Sequence, residues 1–302
     1  MTDGTHKAGF VAIVGAPNAG KSTFLNQVLG EKVAIVAAKP QTTRHRILGV
    51  RTEPEAQLIF WDTPGLHDAG RALLNREMMK RALAALADSD VTLWIVDGLR
   101  RGAEHQTALD IIAGRAGRPL LAAVNKVDLL EDKTALLPLI KEIEDKLSPL
   151  AIVPISAKNG DGTPELLREL IKALPENPPF YPEDALTDQP ERVIAAEMVR
   201  EAVFKLTSQE IPYSAAVTID EFKEEAHIIN IAATIHVEKE SQKGVVIGRG
   251  GNMLKNIGRS ARLNIERLVG GKVFLKLFVR ATKDWSKKKA ALLEFGYGDR
   301  NG

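Results

Sequence analysis

The chain has 302 residues, of which 44% are hydrophobic and 26% charged, a length that fits two domains. Its formal net charge of +2 and ordinary apolar content exclude a disordered polyelectrolyte, and the absence of cysteine excludes disulfides, thiolate metal sites and cysteine nucleophiles. Because no apolar run is long enough to span a membrane and the N-terminus has no signal-peptide pattern, we expect a protein of the reducing cytoplasm.

Short apolar runs alternate with helical patterns over the first part of the chain. Five of these runs are predicted strands, at residues 10–14, 58–61, 91–96, 120–124 and 152–155. Strands that alternate with helices are typical of βαβ units. The pattern therefore predicts an α/β domain with a mostly parallel sheet and helices on both faces.

A phosphate-binding motif follows the first predicted strand. Residues 15–22 read GAPNAGKS, which fits G-x-x-x-x-G-K-[ST], and a helix is predicted at residues 22–29. Glycines let the backbone N–H groups approach a phosphate closely, at the N-terminus of the helix. Lys21 would hold the β- and γ-phosphates and Ser22 a Mg²⁺ ion. The predicted nucleotide contacts of this loop are Gly15, Pro17, Asn18, Ala19, Gly20, Lys21, Ser22 and Thr23.

Three further polar motifs each follow a predicted strand. Asp62 opens the sequence DTPG and is a predicted Mg²⁺-side acid. Residues 125–128 read NKVD, and a carboxylate at Asp128 can accept both N1–H and N2–H₂ of guanine, a donor pair that adenine does not offer. Residues 156–158 read SAK, where a backbone N–H can reach guanine O6. The ordered set predicts a guanine-nucleotide site, and Asp128 argues against the alternative of a P-loop kinase or ATPase.

A proline-rich segment then divides the chain. Residues 174–190 contain five prolines, which remove backbone donors and favour extended conformations. We therefore predict a linker at residues 175–190. Beyond it, a helix at residues 191–206 and strands at 215–220, 227–237 and 273–279 predict a small α+β domain.

The second domain carries a concentrated basic block. Residues 241–289 contain thirteen Lys and Arg against two acidic residues, which points to a polyanionic partner, although a solvated helix face is the alternative reading. Gly248-Arg249-Gly250-Gly251 lies between helical stretches, and G-x-x-G in this setting is the loop of a KH domain. The predicted RNA-binding residues are Lys243, Gly248, Arg249, Gly250, Gly251, Lys255, Arg259 and Arg262, with Lys283 and Lys287–Lys289 as a second patch.

Several apolar residues are predicted to pack inside the protein. Ile231, Ile235, Phe274 and Leu277 alternate along strands and are expected in the core rather than under RNA bases. Packing is likewise expected of the three tryptophans, Trp61, Trp94 and Trp285. The sequence VIG at residues 246–248, which leads into the G-x-x-G loop, is expected to supply apolar contacts beneath unstacked bases.

Taken together, the motifs GAPNAGKS, PQTTRHR, DTPG, NKVD and SAK resemble a translation-factor-related GTPase domain. With the second domain, nearly the full chain resembles the Era family of bacterial ribosome-assembly GTPases. The resemblance implies an α/β P-loop GTPase domain at residues 1–174, the linker at 175–190 and a type II KH domain at 191–302. It implies GTP hydrolysis with Mg²⁺, and binding of small-subunit ribosomal RNA near its 3′ end, in assembly of the small ribosomal subunit. It also implies a monomer with peripheral contact to the inner membrane, for which the sequence shows no anchor.

The resemblance assigns roles to particular residues. Asn125 and Asp128 would read guanine, Lys126 would lie along the base, and Ala157, between Ser156 and Lys158, would supply the O6 donor. The loop at residues 40–46 would supply a threonine to Mg²⁺; the resemblance favours Thr43, and Thr42 stays open. Asn18 would hold K⁺ between the phosphates, or serve only the geometry of the turn. The predicted catalytic residues are Lys21, Thr43, Asp62 and Gly65.

Leu66 raises a question about turnover. Ras-like proteins have at this position a glutamine that orients the attacking water, and leucine has no polar group for that task. We therefore expect slow intrinsic hydrolysis. An RNA-binding chaperone that uses GTP only as a stabilising ligand is the alternative. Neither His45 nor His67 is assigned as a base.

Overall fold

The computed structural model describes residues 6–37, 42–44, 46–70, 72–99, 102–114, 117–208 and 210–298. These residues form two compact units. The first is drawn from Met1–Ala34, Thr43–Ala69 and Met78–Asp188, and the second from Ile35–Thr42, Gly70–Glu77 and Gln189–Gly302. Over the described part of the chain, every helix is too short or too polar to cross a membrane.

The first unit contains a six-stranded sheet. Its strands, in chain order, are β1 (Lys7–Val14), β2 (Ile47–Glu53), β3 (Ala56–Asp62), β4 (Val91–Asp97), β5 (Leu120–Asn125) and β6 (Ala151–Pro154). They lie in the order β2-β3-β1-β4-β5-β6, and all neighbouring pairs are parallel except the antiparallel β2–β3 hairpin. The mostly parallel sheet predicted from the sequence is confirmed.

Helices cover both faces of this sheet. They are α1 (Lys21–Leu29), α2 (Leu73–Asp88), α3 (Ala103–Ala113), α4 (Leu137–Leu147) and α5 (Thr163–Ala173), and the first unit includes α2 from Met78 onward. Buried residues of α1 and α5 form one core with alternate residues of the strands, while those of α2, α3 and α4 form a second core on the opposite face. Burial on both faces explains why the strands read as continuous apolar runs.

Strand β2 was not among the sequence predictions. Its sequence, ILGVRTE, contains glycine at position 49 and arginine at position 51, and neither residue type is typical of a buried strand. The glycine is required by close packing, because a Cβ on Gly49 would lie 2.7 Å from methyl carbons of both Leu25 and Leu29. Helix α1 therefore lies directly against this strand.

The proline-rich segment up to Asp188 packs along the first unit. The backbone N–H groups of Phe180 and Tyr181 donate to Gln57 Oε1 at 2.8 and 2.9 Å, and the Leu186 carbonyl accepts from the Val50 N–H at 2.8 Å. The segment is thus held by specific hydrogen bonds to the two strands of the hairpin.

The second unit has one mixed sheet and its own core. Its elements are α6 (Glu191–Leu206), α7 (Ile211–Ser214), β7 (Ala216–Glu225), β8 (Ile228–Val237), α8 (Glu240–Ile247), α9 (Asn252–Val269), β9 (Val273–Ala281) and α10 (Lys289–Glu294). The sheet order is β7-β8-β9, with β7–β8 antiparallel and β8–β9 parallel. Helices α6 and α9 bury their apolar residues against one face of this sheet. The predicted α+β domain is confirmed.

Most of the packing predictions hold, and one fails. Trp61, Trp94 and Trp285 are buried, and Trp285 Nε1 donates to the Ser214 carbonyl at 2.8 Å. The expected core residues Ile231 and Ile235 are also buried.

The prediction for Phe274 is wrong, because 57% of that residue is exposed. A period-2 pattern separates the two faces of a strand without showing which of them is covered.

Candidate nucleotide site and nucleic-acid interface

The predicted phosphate loop joins β1 to α1 in a tightly packed left-handed turn. Gly15 and Gly20 have φ of 148° and 106°, and a Cβ on Gly15 would lie 2.2 Å from the Ile95 carbonyl oxygen. Pro17 and Asn18 are half-buried, Ala19 is buried, and Asn18 has a φ of 62°. The loop therefore needs glycine for steric reasons before any ligand is considered.

The N-terminus of α1 provides an environment suited to an anion. The first turn holds Lys21, Ser22 and the half-buried Thr23, and contains no acidic residue to neutralise the positive end of the helix dipole. Lys21 Nζ donates to the carbonyls of Gly15 and Ala16 at 3.1 and 2.9 Å. Burial lowers the pKa of Lys21 to about 8, against the opposing influence of the Asp62 carboxylate. A buried ammonium of this kind gains from a phosphate placed beside it.

Three predicted metal ligands from separate segments meet at one point. Ser22 Oγ donates to Asp62 Oδ2 at 2.6 Å, and Thr43 Oγ1 lies 2.8 Å from Ser22 Oγ and 3.2 Å from the same carboxylate oxygen. The neighbouring Thr42 instead directs its hydroxyl to the Ala37 carbonyl. The structure thus brings Thr43 to the other two residues. Residues 40, 41 and 45 of this loop lie outside the described residues.

The donor set at this point fits Mg²⁺. Asp62 is fully buried, and its Oδ1 atom has no hydrogen-bond partner. Burial raises the pKa of Asp62 to about 6, although Ser22, Lys21 and Thr43 lower it. Among the described residues no group of three or more His, Cys, Asp or Glu could hold a metal. A hard cation here would therefore take hydroxyl and carboxylate oxygens, which Mg²⁺ prefers, together with oxygens of a bound phosphate.

Asn125 joins two loops of the site. Its Nδ2 donates to the Ala19 carbonyl at 2.7 Å, and its Oδ1 accepts the Ala157 N–H at 2.9 Å. The Ala157 N–H, expected at guanine O6, therefore contacts Asn125 in this structure. A Cβ on Gly20 would lie 2.0 Å from Asn125 Nδ2, so only glycine at this position lets the phosphate loop approach the Asn125 amide so closely.

The remaining residues expected to contact the base lie at the adjacent strand ends. Asp128 is exposed, and its Oδ1 accepts from Ser156 Oγ at 2.7 Å, which orients the carboxylate and leaves the other oxygen for a ligand. Lys158, two residues after Ser156, is exposed. Lys126 has a left-handed φ of 72°, and its Nζ donates to Asp97 Oδ2 at 2.6 Å.

Sequence reasoning missed Asp97. This carboxylate, whose side chain is only 10% exposed, is the last residue of β4 and holds the Lys126 ammonium. The signal was available, because Asp97, like Asp62 and Asn125, is a polar residue that ends a buried strand on the same edge of a parallel sheet.

The segment after Asp62 is fixed by the phosphate loop. A Cβ on Gly65 would lie 2.8 Å from Pro17 Cα, and the Leu66 N–H donates to the Gly15 carbonyl at 2.9 Å. The Leu66 side chain is fully buried in the core, and His67 Nδ1 lies 2.7 Å from the Gly65 carbonyl oxygen. Leu66 therefore offers no polar group to a water molecule, as its sequence position suggested.

The G-x-x-G loop of the second unit connects α8 to α9. Gly248, Gly250 and Gly251 have φ of 73°, 59° and 79°, and a Cβ on Gly248 would lie 2.6 Å from Met253 Cβ. Arg249 and Gly250 are exposed at the loop. Before the loop, Val246 is fully buried in the core rather than placed to contact bases, and Val245 is half exposed.

A groove lies between α9 and β9. It has a volume of about 560 Å³ and is lined by Gly251, Leu254, Lys255, Asn256, Gly258, Arg259, Arg262, Leu275 and Leu277. Three predicted RNA-binding cations therefore share one groove, whose apolar floor includes Leu277, a residue expected in the core. Lys243 lies on α8 and forms an ion pair with Glu240 at 3.8 Å.

Comparisons with known proteins match both units. A family described as 50S ribosome-binding GTPase matches residues 10–126, and the KH domain family matches residues 210–286. GTPase Era of Geobacter metallireducens is 49% identical over 98% of this chain and 100% of its own length. GTPase Era of Pseudomonas entomophila is 45% identical over 99% of this chain and 100% of its own length.

Solved structures agree with these relatives. The chain matches Era in complex with MgGDPNP and nucleotides 1506–1542 of 16S ribosomal RNA, with a TM-score of 0.93 and 40% identity over 97% of this chain and 100% of that one. It also matches an Aquifex aeolicus Era variant bound to GDP and AlF₄⁻, with a TM-score of 0.90, 40% identity and the same coverage. With full-length identity of this degree and both domains in place, the chain belongs to the Era family of GTPases.

Proposed function

We propose that this chain is a GTP-hydrolysing switch that binds small-subunit ribosomal RNA near its 3′ end and assists assembly of the small ribosomal subunit. The observation that carries the proposal is the meeting of Ser22, Thr43 and Asp62 beside the phosphate loop. A basic groove below a G-x-x-G loop in the second unit adds the RNA component. Support comes from the solved Era complex, which contains MgGDPNP and 16S ribosomal RNA.

The phosphate end of the nucleotide is held by the backbone of the loop and by Lys21. The N–H groups at the start of α1 face the phosphates, and Lys21 supplies a buried positive charge. Ser22, Thr43 and Asp62 would hold Mg²⁺, which when bound neutralises charge on the β- and γ-phosphate oxygens. Gly65 lets the backbone after Asp62 lie against Pro17 of the loop that would hold the phosphates.

Guanine recognition depends on Asp128. Ser156 orients its carboxylate, and the exposed oxygen accepts hydrogen bonds from the base, while Asn125 positions the loop around Ala157. Replacing Asp128 by Asn should move preference from guanosine towards xanthosine triphosphate, because the amide donates where the carboxylate accepted. Unchanged GTP binding in D128N would show that the guanine reader is wrongly assigned.

Turnover needs a group other than Leu66, whose side chain is buried. We assign K⁺ at Asn18 as this group, where a cation between the phosphates would act like an arginine finger. The left-handed φ of Asn18 is also what the turn itself favours, so the two roles must be separated. Asn18→Gly keeps the turn and removes the side-chain oxygen. Loss of K⁺ stimulation in N18G, with GTP binding retained, supports the cation role.

The decisive measurement is steady-state GTP hydrolysis in K⁺ and Na⁺ buffers, with RNA matching the 3′ end of small-subunit rRNA and a scrambled RNA as control. Slow turnover that rises with the matching RNA supports a switch that couples both units. Tight GTP binding without turnover in any condition would favour the alternative, a chaperone that uses GTP as a ligand.

The remaining assignments follow the family resemblance. Residues 1–174 would carry the nucleotide function and residues 191–302 the RNA function, joined by residues 175–190. Monomeric state, cytoplasmic location and a peripheral contact with the inner membrane stay predictions. Light scattering tests the first, and cell fractionation with and without a high-salt wash tests the other two.

A further inference from the structure

Strand β9 has an exposed face that the groove does not use. Phe274 and Phe278 are 57% and 45% exposed, and the exposed Lys276 and Arg280 alternate with them along the strand. Side chains two residues apart point to the same side of a strand, so these four share one face. We name this set (Phe274, Lys276, Phe278 and Arg280) the β9 aromatic face.

The β9 aromatic face lies opposite the RNA groove. Leu275 and Leu277, the residues between its members, line the groove with α9 on the other side of the strand. Strand β9 is also an edge of the sheet, next to β8 only. A chain leaving the groove can therefore pass around this edge and reach the aromatic face without crossing the sheet.

Strand β9 contributes two cations to this face, Lys276 and Arg280, and no carboxylate. The residues of β8 in register with the four are Asn230, Ala232, Thr234 and His236, none of them acidic. Acidic residues on the neighbouring strand β7 include Asp220, whose carboxylate accepts the Thr234 hydroxyl at 2.6 Å, so the negative charge lies on the β7 side of the sheet and the cations on the β9 side. Lys276 Nζ lies 5.0 Å from the centre of the Phe278 ring, so cation and aromatic ring form one continuous surface.

We propose that the β9 aromatic face binds a second stretch of the same RNA, with unstacked bases on Phe274 and Phe278 and phosphates near Lys276 and Arg280. Aromatic side chains interleaved with cations are the platform on which single-stranded nucleic acid stacks. Protein interfaces are enriched in phenylalanine and arginine but depleted of lysine, so Lys276 is the residue of this face that favours nucleic acid over a protein partner. A G-x-x-G loop clamps about four nucleotides, so an RNA as long as nucleotides 1506–1542 of the solved Era complex extends well beyond the groove.

This inference rests on the proposed function. Binding measurements with two RNAs of different length distinguish failure of the inference from failure of the proposed function. One is a short single strand of about four to six nucleotides from the 3′ end, which fits the groove alone. The other matches the span 1506–1542 found in the solved Era complex. The variants are F274A/F278A, K276Q, the groove variant R259A/R262A, and F180A as a control that removes a phenylalanine 50% exposed in the first unit.

For F274A/F278A we expect unchanged affinity for the short RNA and about tenfold or greater loss for the long RNA, since stacking contributes about 1–3 kcal/mol per base. K276Q should reduce the salt dependence of long-RNA binding by about one phosphate contact. R259A/R262A should weaken both RNAs, and F180A neither. Thermal unfolding of each variant verifies the fold.

Unchanged long-RNA binding in F274A/F278A, while R259A/R262A loses both RNAs, would overturn the inference and leave the proposed function intact. If that double variant keeps full RNA affinity but binds purified small subunits more weakly, the face meets a ribosomal protein and the RNA assignment is wrong. A change in its oligomeric state would assign the face to a second copy of the chain. Wild-type protein that binds neither RNA would refute the proposed function itself.

Discussion

The Asn125 side chain donates a hydrogen bond to the Ala19 carbonyl at 2.7 Å, which fastens the end of β5 to the phosphate loop. Its other polar atom accepts the Ala157 N–H at 2.9 Å. A single buried amide thus holds together the loops expected at the two ends of the nucleotide, and it does so with one donor and one acceptor that no other side-chain type supplies in that shape.

Replacing Asn125 by Asp should weaken GTP and GDP alike. The carboxylate can still accept the Ala157 N–H but faces the Ala19 carbonyl with a second acceptor, and a buried unmade hydrogen bond costs about 1–3 kcal/mol. We expect about fivefold to a hundredfold higher Kd for both nucleotides, measured by fluorescence titration. Equal nucleotide affinities in the variant and the wild type would show that these two hydrogen bonds of Asn125 do not support nucleotide binding.

Two glycines with left-handed backbone give a matched comparison. A Cβ on Gly20 would lie 2.0 Å from Asn125 Nδ2, whereas one on Gly30, with a φ of 72°, meets nothing within 4 Å. G20A should therefore abolish measurable nucleotide binding, and G30A should retain it with a loss of about 1 kcal/mol in stability. Similar nucleotide affinity in both variants would show that the close approach is unimportant.

Asp97 is predicted to act as a positioning residue for Lys126. Asp97→Ala leaves the Lys126 ammonium without the carboxylate now 2.6 Å away, so its stem is free to leave the base. We expect Kd for GDP to rise several-fold and the unfolding temperature to fall, because the side chains of Lys126 and Asp97 are only 27% and 10% exposed and truncation leaves the ammonium without its partner. Asp97→Glu should restore part of the affinity; failure of both effects would remove Asp97 from the site.

In the G-x-x-G loop, the position of the glycine determines the outcome. A Cβ on Gly248 would lie 2.6 Å from Met253 Cβ, whereas a Cβ on Gly250 would meet nothing within 4 Å. At Gly250 the only constraint on a side chain is the left-handed backbone, with a φ of 59°. Gly248→Ala should displace the start of α9 and lose RNA binding. Gly250→Asn should keep the fold, since Asn tolerates left-handed backbone. Filter binding and circular dichroism test the pair, and equal behaviour would contradict the steric argument.

His236 should make the second unit less stable in acid. Its ring lies between Thr218 and Thr282 and packs on Phe295, with centroids 4.3 Å apart. Burial and the nearby Arg280 lower the pKa of His236, against opposing effects of Asp220 and Glu294. The folded unit then binds fewer protons than the unfolded chain, so stability is lost as pH falls below about 6.5.

The measurement is urea unfolding between pH 7.5 and 5.5 in W61F/W94F, where Trp285 is the remaining tryptophan and reports the second unit. His236→Gln added to this background should flatten the pH dependence while leaving the unfolding midpoint at pH 7.5 little lowered. A pH dependence that persists in H236Q would assign the effect to another group.

The sequence by itself determined the features that are local. The phosphate loop, the strand that precedes it and the helix that follows are specified by glycine spacing and apolar periodicity within about twenty residues. The polar residues at the strand ends, Asp62 and Asn125, could be placed together because parallel strands end at one edge of the sheet. The G-x-x-G loop was found in the same way.

Only the tertiary structure decided which partners these residues have. Thr43 rather than Thr42 contacts Ser22, Lys126 pairs with Asp97, and Asn125 hydrogen-bonds to the phosphate loop. Each of these contacts joins segments that are distant in sequence, so the sequence pattern could not predict it. The tertiary structure also turned Phe274 and Phe278 outward, since alternation defines two faces of a strand and only the packing of α9 decides which one is buried.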